Sequence, residues 1–388
     1  MSFPSPAISD TELAAQVKER GRELGFSLIG IAPAVRPDTL DLFRAWTSQG
    51  HHGSMNYLVT RDGAYEHPSG VMPGVRSVIV TAMNYGPGRD AEPGAGRIAA
   101  YAQGTADYHD VLRKKLKELA KVLHQARPDS HSRVTIDTAP LLERDVARRA
   151  GLGWFGKNTM LINKHQGSYF FLGGILTDCS LPPDAVHEAS HCGTCTRCLD
   201  ACPTDAFVAP HVLDARKCIS YLTIEMRGEP IPVELRPGVG DWMFGCDVCQ
   251  QVCPWNRKAT PTAVPEFQPA GVTARTAIEF LSLDEETFRG DFRKSPLSRP
   301  GHENMQRNAA IVLGNLKDAN AVAPLIGALQ SSSPIVRGAV AWALGQFGAP
   351  EALSALSAHL ENETDSTVQQ ECRAALDAGR NSRAALQG

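Results

Sequence analysis

Eight cysteines lie between Cys192 and Pro254, and their spacing limits what this chain can fold into more than any other feature. They read Cys192-x2-Cys195-x2-Cys198-x3-Cys202-Pro203, a lone Cys218, then Cys246-x2-Cys249-x3-Cys253-Pro254. Eight is the number of thiolates that two [4Fe–4S] clusters require. In modules with this spacing, three close cysteines hold one cluster and the cysteine before proline serves the other. The first cluster is expected to take Cys192, Cys195, Cys198 and Cys253. The second run is one cysteine short and Cys218 is the natural replacement, giving Cys202, Cys218, Cys246 and Cys249. A zinc ribbon uses two Cys-x2-Cys pairs and has no role for the third cysteine or the x3-Cys-Pro ending. A disulfide framework belongs to an oxidising compartment. Met1 to Asp10 offers no basic segment followed by an apolar run, so export is not expected.

A chain of 388 residues has room for two or three domains, each with its own core. No apolar run approaches the roughly 20 residues that span a bilayer, so a soluble protein of the reducing cytoplasm is expected. The net charge of −3 does not advertise nucleic-acid binding, and any such surface must be a local patch.

In chain order, Ser9-x-x-Glu12 is a capping box for a helix carrying Leu13 and Val17 and closed by Gly25. Strand-like runs follow at Phe26 to Ile31 and Val75 to Met83. Tyr108 to Arg127 has helical spacing at Leu112, Leu116, Leu119 and Leu123, and its polar positions include Arg113, Lys114, Lys115, Lys117 and Lys121. Such a run is ordinarily a solvated face. A short strand from Val134 to Asp137 and a helix from Pro140 to Ala150 complete an alternation that indicates an α+β or α/β domain. Asp137 would then end a strand facing a cleft, although by position alone a helix N-cap or Asx turn is the simpler reading. Gly151-Leu-Gly153-Trp-Phe-Gly156 matches a dinucleotide fingerprint in letters, but it follows a helix, and Gly151 is expected to be a C-terminal cap. Gly94-Ala-Gly96 emerges from a Pro/Gly-rich loop and fails the same test.

Leu181-Pro182-Pro183-Asp184 reads as a hinge, and Thr260 to Gly271 as an exit. The tail repeats itself, with Ala310 to Asn315 matching Ala341 to Gln346 and Val336 matching Val368. Short helical-pair repeats of the HEAT type fit this pattern. Arg307, Lys317 and Arg337 are candidates to line a surface offered by these repeats, or they simply keep them soluble. Cys179 and Cys372 fall outside the cluster set and are expected to be buried apolar residues.

Several stretches together resemble the epoxyqueuosine reductase family along nearly the whole chain. They are Gly96-Arg97-Ile-Ala-Ala-Tyr101, Asp107-Tyr-His109, Asp137-Thr-Ala-Pro-Leu-Leu-Glu-Arg144 and Gly151 to Thr159. Gly167-Ser168-Tyr169, Cys218-Ile-Ser220 to Glu225 and Gly245 to Asn256 complete the set. The resemblance implies an α+β multidomain chain. A nitroreductase-like cobalamin-binding domain would occupy 1–181, a ferredoxin-like domain with two [4Fe–4S] clusters 182–260, and C-terminal α-helical HEAT-like repeats 270–388. It implies reduction of epoxyqueuosine to queuosine at the wobble position of tRNA, the acceptors being those for Tyr, His, Asn and Asp. A low-potential donor of ferredoxin or flavodoxin type would supply electrons to a monomer.

By the same resemblance Asp137 is the general acid, which would require its pKa to be raised, for instance by desolvation beside the corrin. Cobalamin contacts carry over to Tyr57, Arg97, Asp137, Asn158, Ser168, Ser220 and Asp247. The signature Asp-x-His-x-x-Gly is absent, because Asp107-Tyr-His109 is followed by Asp-Val-Leu. Base-off cobalamin without a histidine ligand is therefore expected, leaving His109 to packing or RNA. Two alternatives are a reductive dehalogenase-like enzyme with the same cofactors and a ferredoxin-type electron carrier. The first is usually exported and lacks a repeat tail; the second leaves the first ~180 residues without a purpose.

Overall fold

The computed structural model describes residues 8–88, 96–269 and 275–387. The segment Met1 to Ala7, Gly94 of the second glycine pattern and positions 270–274 at the start of the tail lie outside them.

Both hydrogen bonds of the capping box form at Ser9 and Glu12, and the helix they start spans Asp10–Glu23. Gly25 leaves it at φ +88°. Strand Leu28–Pro33 pairs with Ser77–Asn84, which pairs with Phe170–Thr177, and Ser132–Thr135 closes the far edge. Every pairing in this sheet is antiparallel, so the first unit is α+β. Helix Tyr108–Ala126 buries Leu112, Leu116, Leu119 and Leu123 completely against one face, beside the first helix. Each such leucine contributes about 1.5–3 kcal/mol. The opposite polar face is solvated as its charges suggest, with Arg113 on Asp110 and Lys121 on Glu118.

Two expected boundaries shift, and the shift creates the site. The edge strand stops at Thr135 and the next helix is Glu143–Arg149, not one starting at Pro140. Asp137 therefore does not end a strand. It stands in the intervening loop at φ +34°, a conformation that an L-residue adopts only when its surroundings hold it there. Gly151 does follow the helix, at φ +79°. The glycine pattern then opens a small hairpin, Trp154–Phe155 against Leu161–Ile162, and not a helix.

The linker at Leu181 to Asp184 is pinned. Asp184 accepts from Lys18 Nζ at 2.5 Å and Ile31 N at 2.8 Å, and Leu181 N donates to Ser77 Oγ at 2.9 Å. In the tail, helices His302–Leu316, Pro334–Phe347 and Ser366–Gln387 pack side by side. Repeat-matched glycines set their spacing. A Cβ on Gly314 would lie 2.7 Å from Trp342, and one on Gly345 2.7 Å from Ala375. Among the described residues no helix is long and apolar enough to cross a membrane.

Candidate active site and cluster sites

The two cysteine runs interleave. Cys192, Cys195, Cys198 and Cys253 line one cavity of about 190 Å³, together with Lys157, Asn158, His191 and Trp255. Burial pushes the Cys198 thiol up to about 11, and the thiols of Cys253, Cys192 and Cys195 lie close enough to oppose its ionisation as well. Burial likewise pushes Cys246 up to about 12, with Cys218 and Cys202 beside it. Burial also raises Cys249 well above its ordinary value, next to Cys218 and Cys246. Two sets of four thiols result, and none is in a disulfide. Burial alone raises a thiol, as it does the isolated Cys372, so it is the gathering of four thiols in one place that marks these as ligands. Among the described residues no group of His, Cys, Asp and Glu converges on a single ion. Sulfurs spread around a cavity suit the corners of a cube better than one tetrahedral zinc. Of the first set Cys253 is buried and the other three are half-buried among exposed neighbours, whereas Cys218, Cys246 and Cys249 are half-buried but flanked by the buried Ile219, Asp247 and Gln250.

Asp137 is the centre of a second constellation. Asp107 caps helix Tyr108–Ala126 and accepts from His109 N at 2.9 Å. This first turn aims two side chains at the Asp137 carboxylate. His109 Nε2 lies 2.8 Å from Oδ1, and the Tyr108 hydroxyl donates to Oδ2. His109 Nδ1 sits 2.6 Å from Asp107 Oδ1, so the ring bridges two carboxylates. The Tyr108 ring stacks on Phe171 at 4.2 Å and 7°, making a rigid aromatic floor.

The electrostatics differ from the sequence expectation. Burial pushes Asp137 up, but the hydrogen bond and charge of His109 and the Tyr108 hydroxyl outweigh it and hold the carboxyl below its ordinary value. Burial opposes the charge on His109, yet its two carboxylates raise it to about 9. The proton of the pair thus rests on His109. Behind them, burial lifts Glu143 to about 8 with Asp137 next to it, and its Oε1 is enclosed without a hydrogen-bond partner among the described residues. Tyr57 and Arg299 face Asp137 across the site, and Arg299 Nε is bonded to Glu225 at 2.7 Å.

The other expected contacts fall into separate groups. Tyr57 is 41% exposed, with the Arg61 guanidinium 5.5 Å above its ring. Arg97 lies over Trp242 at 4.2 Å and reaches Gln251 at 3.3 Å. Ser220 is half-buried on helix Ile219–Ile224. Ser168 and Asp247 are closed into a buried network: Ser168 Oγ donates to Gln250 Oε1 at 2.9 Å, and Asp247 accepts from Gln250 Nε2 at 3.2 Å and Ala100 N at 2.6 Å. Burial lifts Asp247 to about 6. Asn158 is buried and donates to Cys249 O at 3.3 Å. Tyr108, Glu143 and Arg299 were missed by sequence reasoning. Tyr108 and Glu143 had a signal, since they lie inside the stretches Asp107 to His109 and Asp137 to Arg144 that carry the resemblance.

The tail candidates need correction. Arg307 is fully buried, with its guanidinium on the carbonyls of Leu222, Met226 and Glu229 at 2.7 Å each. It cannot line a surface. Arg337 is turned inward onto Glu363 at 2.6 and 2.9 Å. Lys317, at a left-handed helix end, is exposed. Cys372 is fully buried, but Cys179 is only half-buried.

Three family models match. Residues 66–138 match "Epoxyqueuosine reductase QueG, DUF1730", residues 191–256 a 4Fe–4S double cluster binding domain and residues 295–377 HEAT repeats. The chain is 43% identical over 359 residues to the epoxyqueuosine reductase of Pseudomonas aeruginosa, covering 90% of this chain and 97% of that one. To the Escherichia coli enzyme it is 38% identical over 342 residues, covering 86% and 89%. A crystal structure of epoxyqueuosine reductase with an epoxyqueuosine-modified tRNA-Tyr stem loop superposes with a TM-score of 0.89 at 30% identity, covering 96% of this chain and all of that one. The Bacillus subtilis enzyme, whose structure has a catalytic loop swung out of the active site, gives 0.88 at 31% identity over 95% and 100%. On sequence over nine-tenths of its length, and on a fold shared from the sheet through the repeats, the chain belongs to the epoxyqueuosine reductase family.

Proposed function

We propose that this chain reduces epoxyqueuosine to queuosine at the wobble position of tRNA, using two [4Fe–4S] clusters and cobalamin. Converting an epoxide to an alkene and water consumes two electrons and two protons, and both protons end on the same oxygen. The observation that carries the reading is the bridged set Asp107, His109 and Asp137, held on a rigid aromatic floor in a chain that also assembles two four-thiol sites. Asp137 is the group that meets the opening oxygen. Its own pKa is low, so it acts as a relay for the proton stored on His109. Because two protons pass in each turnover, a reservoir that recharges between them suits the stoichiometry better than a single carboxylic acid.

Cobalamin, when bound, supplies a low-valent cobalt centre that no amino-acid side chain can replace. Tyr57, Arg97 and Ser220, all partly exposed, would hold it, with Asn158, Ser168 and Asp247 supporting the wall behind. Both ring nitrogens of His109 are engaged by carboxylates, which leaves it unsuited to ligate cobalt. Cys192, Cys195, Cys198 and Cys253 hold the cluster nearer the surface; Cys202, Cys218, Cys246 and Cys249 hold the deeper one. Electrons enter from a ferredoxin- or flavodoxin-type donor in the cytoplasm, the enzyme acts as a monomer, and the acceptors are tRNAs for Tyr, His, Asn and Asp. Of the tail candidates, Lys317 alone remains suited to meet RNA.

Anaerobic incubation with cobalamin, a reductant and epoxyqueuosine-containing tRNA, followed by nucleoside analysis, tests this reading. Queuosine should appear; unchanged epoxyqueuosine from protein with a full iron load would refute it.

A further inference from the structure

The hairpin Trp154–Phe155/Leu161–Ile162 belongs to the first unit in sequence, yet its turn reaches between the two cysteine sets. Two adjacent turn residues clasp different loops. Lys157 Nζ donates to Gly193 O at 2.7 Å and Cys195 O at 3.0 Å, in the first cysteine run. Asn158 Nδ2 donates to Cys249 O at 3.3 Å, in the second. The turn is itself fastened from the iron–sulfur side. His211 Nδ1 lies 2.9 Å from Gly156 O, and His211 N donates to Lys157 O at 3.0 Å. Thr159, at φ +65°, turns the chain back towards the second strand. Lys157 lines the cavity ringed by Cys192, Cys195, Cys198 and Cys253. Among the described residues no carboxylate neutralises its ammonium.

We propose that Lys157 is a positioning residue that sets the reduction potential of the first cluster. Four thiolates give a [4Fe–4S] cluster an excess negative charge, and accepting one electron adds another unit. An unneutralised ammonium at the rim of a partly dehydrated site favours that reduced form, since charge and hydrogen bonding around the sulfurs are what tune such potentials. The same ammonium fixes the two carbonyls of the Cys192–Cys195 turn, so its charge stays where the added electron arrives. Asn158, which reaches the backbone of Cys249 in the second run, brings no charge to it. The two clusters therefore stand in different fields, and the one nearer the surface is the easier to reduce. The reaction that Lys157 assists is a single-electron transfer from an external low-potential donor to the first cluster, with no bond made or broken.

The test is an EPR-monitored redox titration of the anaerobically reconstituted full chain. Lys157→Gln keeps a hydrogen-bond donor but removes the charge. It should retain full iron content, with one cluster's midpoint moved to lower potential and the other unmoved. Lys157→Arg should keep both midpoints near those of the native protein. Unmoved midpoints in Lys157→Gln would overturn the proposal. Loss of half the iron in that variant would also overturn it, reducing Lys157 to a structural clamp. The assignment rests on the two-cluster reading, which the iron content of the native protein tests on its own.

Discussion

His109 Nε2 lies 2.8 Å from Asp137 Oδ1, and the opposite edge of the same ring is bound to Asp107. A ring so placed keeps its proton above neutral pH, near 9, while Asp107 and Asp137 stay ionised below the usual carboxylate range. The signs follow from linkage. Stability from His109, whose pKa is raised by folding, is complete below its ordinary value of 6.5 and is lost as pH rises through about 9. Stability from the two lowered carboxyls is present above their ordinary value and is lost as pH falls from there through their lowered folded values.

Turnover should accordingly fall as pH rises past about 9. His109→Gln keeps a donor towards Asp137 but cannot titrate, so it should lower kcat by about 10²–10⁴-fold and flatten the alkaline limb. The kcat–pH profile measures this. A native alkaline limb in the variant would remove His109 from the proton path.

Asp137→Asn preserves size and one acceptor while abolishing proton exchange with His109. Iron content and cobalamin binding should be native, with single-turnover rates on modified tRNA reduced by about 10²–10⁴-fold. Native rates would show that another group meets the epoxide oxygen.

Glu143 sits behind the Asp137 loop with its carboxyl raised to about 8 by burial. Folding favours its protonated form, so its contribution is full in acid and lost as pH rises through about 8. Glu143→Gln should fold as well as the native protein at neutral pH and lose that slope. Melting temperature against pH, compared between the two proteins, gives the answer; identical slopes would contradict it.

Cys253→Ala should remove the first cluster, although Cys253 lies in the second run. Iron should fall by about half, and the surviving EPR signal should belong to the set containing Cys218. Loss of the other signal would reverse the pairing.

Arg307→Ala strands three carbonyls that share one buried guanidinium. Unsatisfied buried groups cost about 1–3 kcal/mol each, so the melting temperature should drop sharply at every ionic strength. Lys317→Glu should leave stability intact. If Lys317 meets RNA, affinity for tRNA should weaken and its salt dependence become shallower. Native stability in Arg307→Ala would mean that the docking survives without it.

How much of this was legible depended on whether the information was local. The cysteine sets follow from spacing, and the helix Tyr108–Ala126 from four leucines on one face. The capping box at Ser9 was equally plain. Arg307 was misread because a basic residue on a repeat helix looks the same in sequence whether it faces water or a ring of carbonyls; Leu222, Met226 and Glu229 converge on it from some 80 residues away. The sign of the Asp137 shift was missed for a similar reason. Its partner His109 lies 28 residues upstream, and no pattern reveals that Asp137 takes a left-handed backbone to meet it.

Arg307 and its neighbour Asn308 do more than fasten the tail. Asn308 Nδ2 donates to Thr223 O at 2.8 Å and Met243 O at 2.9 Å. Together the pair grips the backbone a few residues downstream of Cys218 and just upstream of Cys246. The first repeat helix thus serves as a keystone for the backbone that carries Cys218 and Cys246, and losing its grip would loosen the cage of the second cluster.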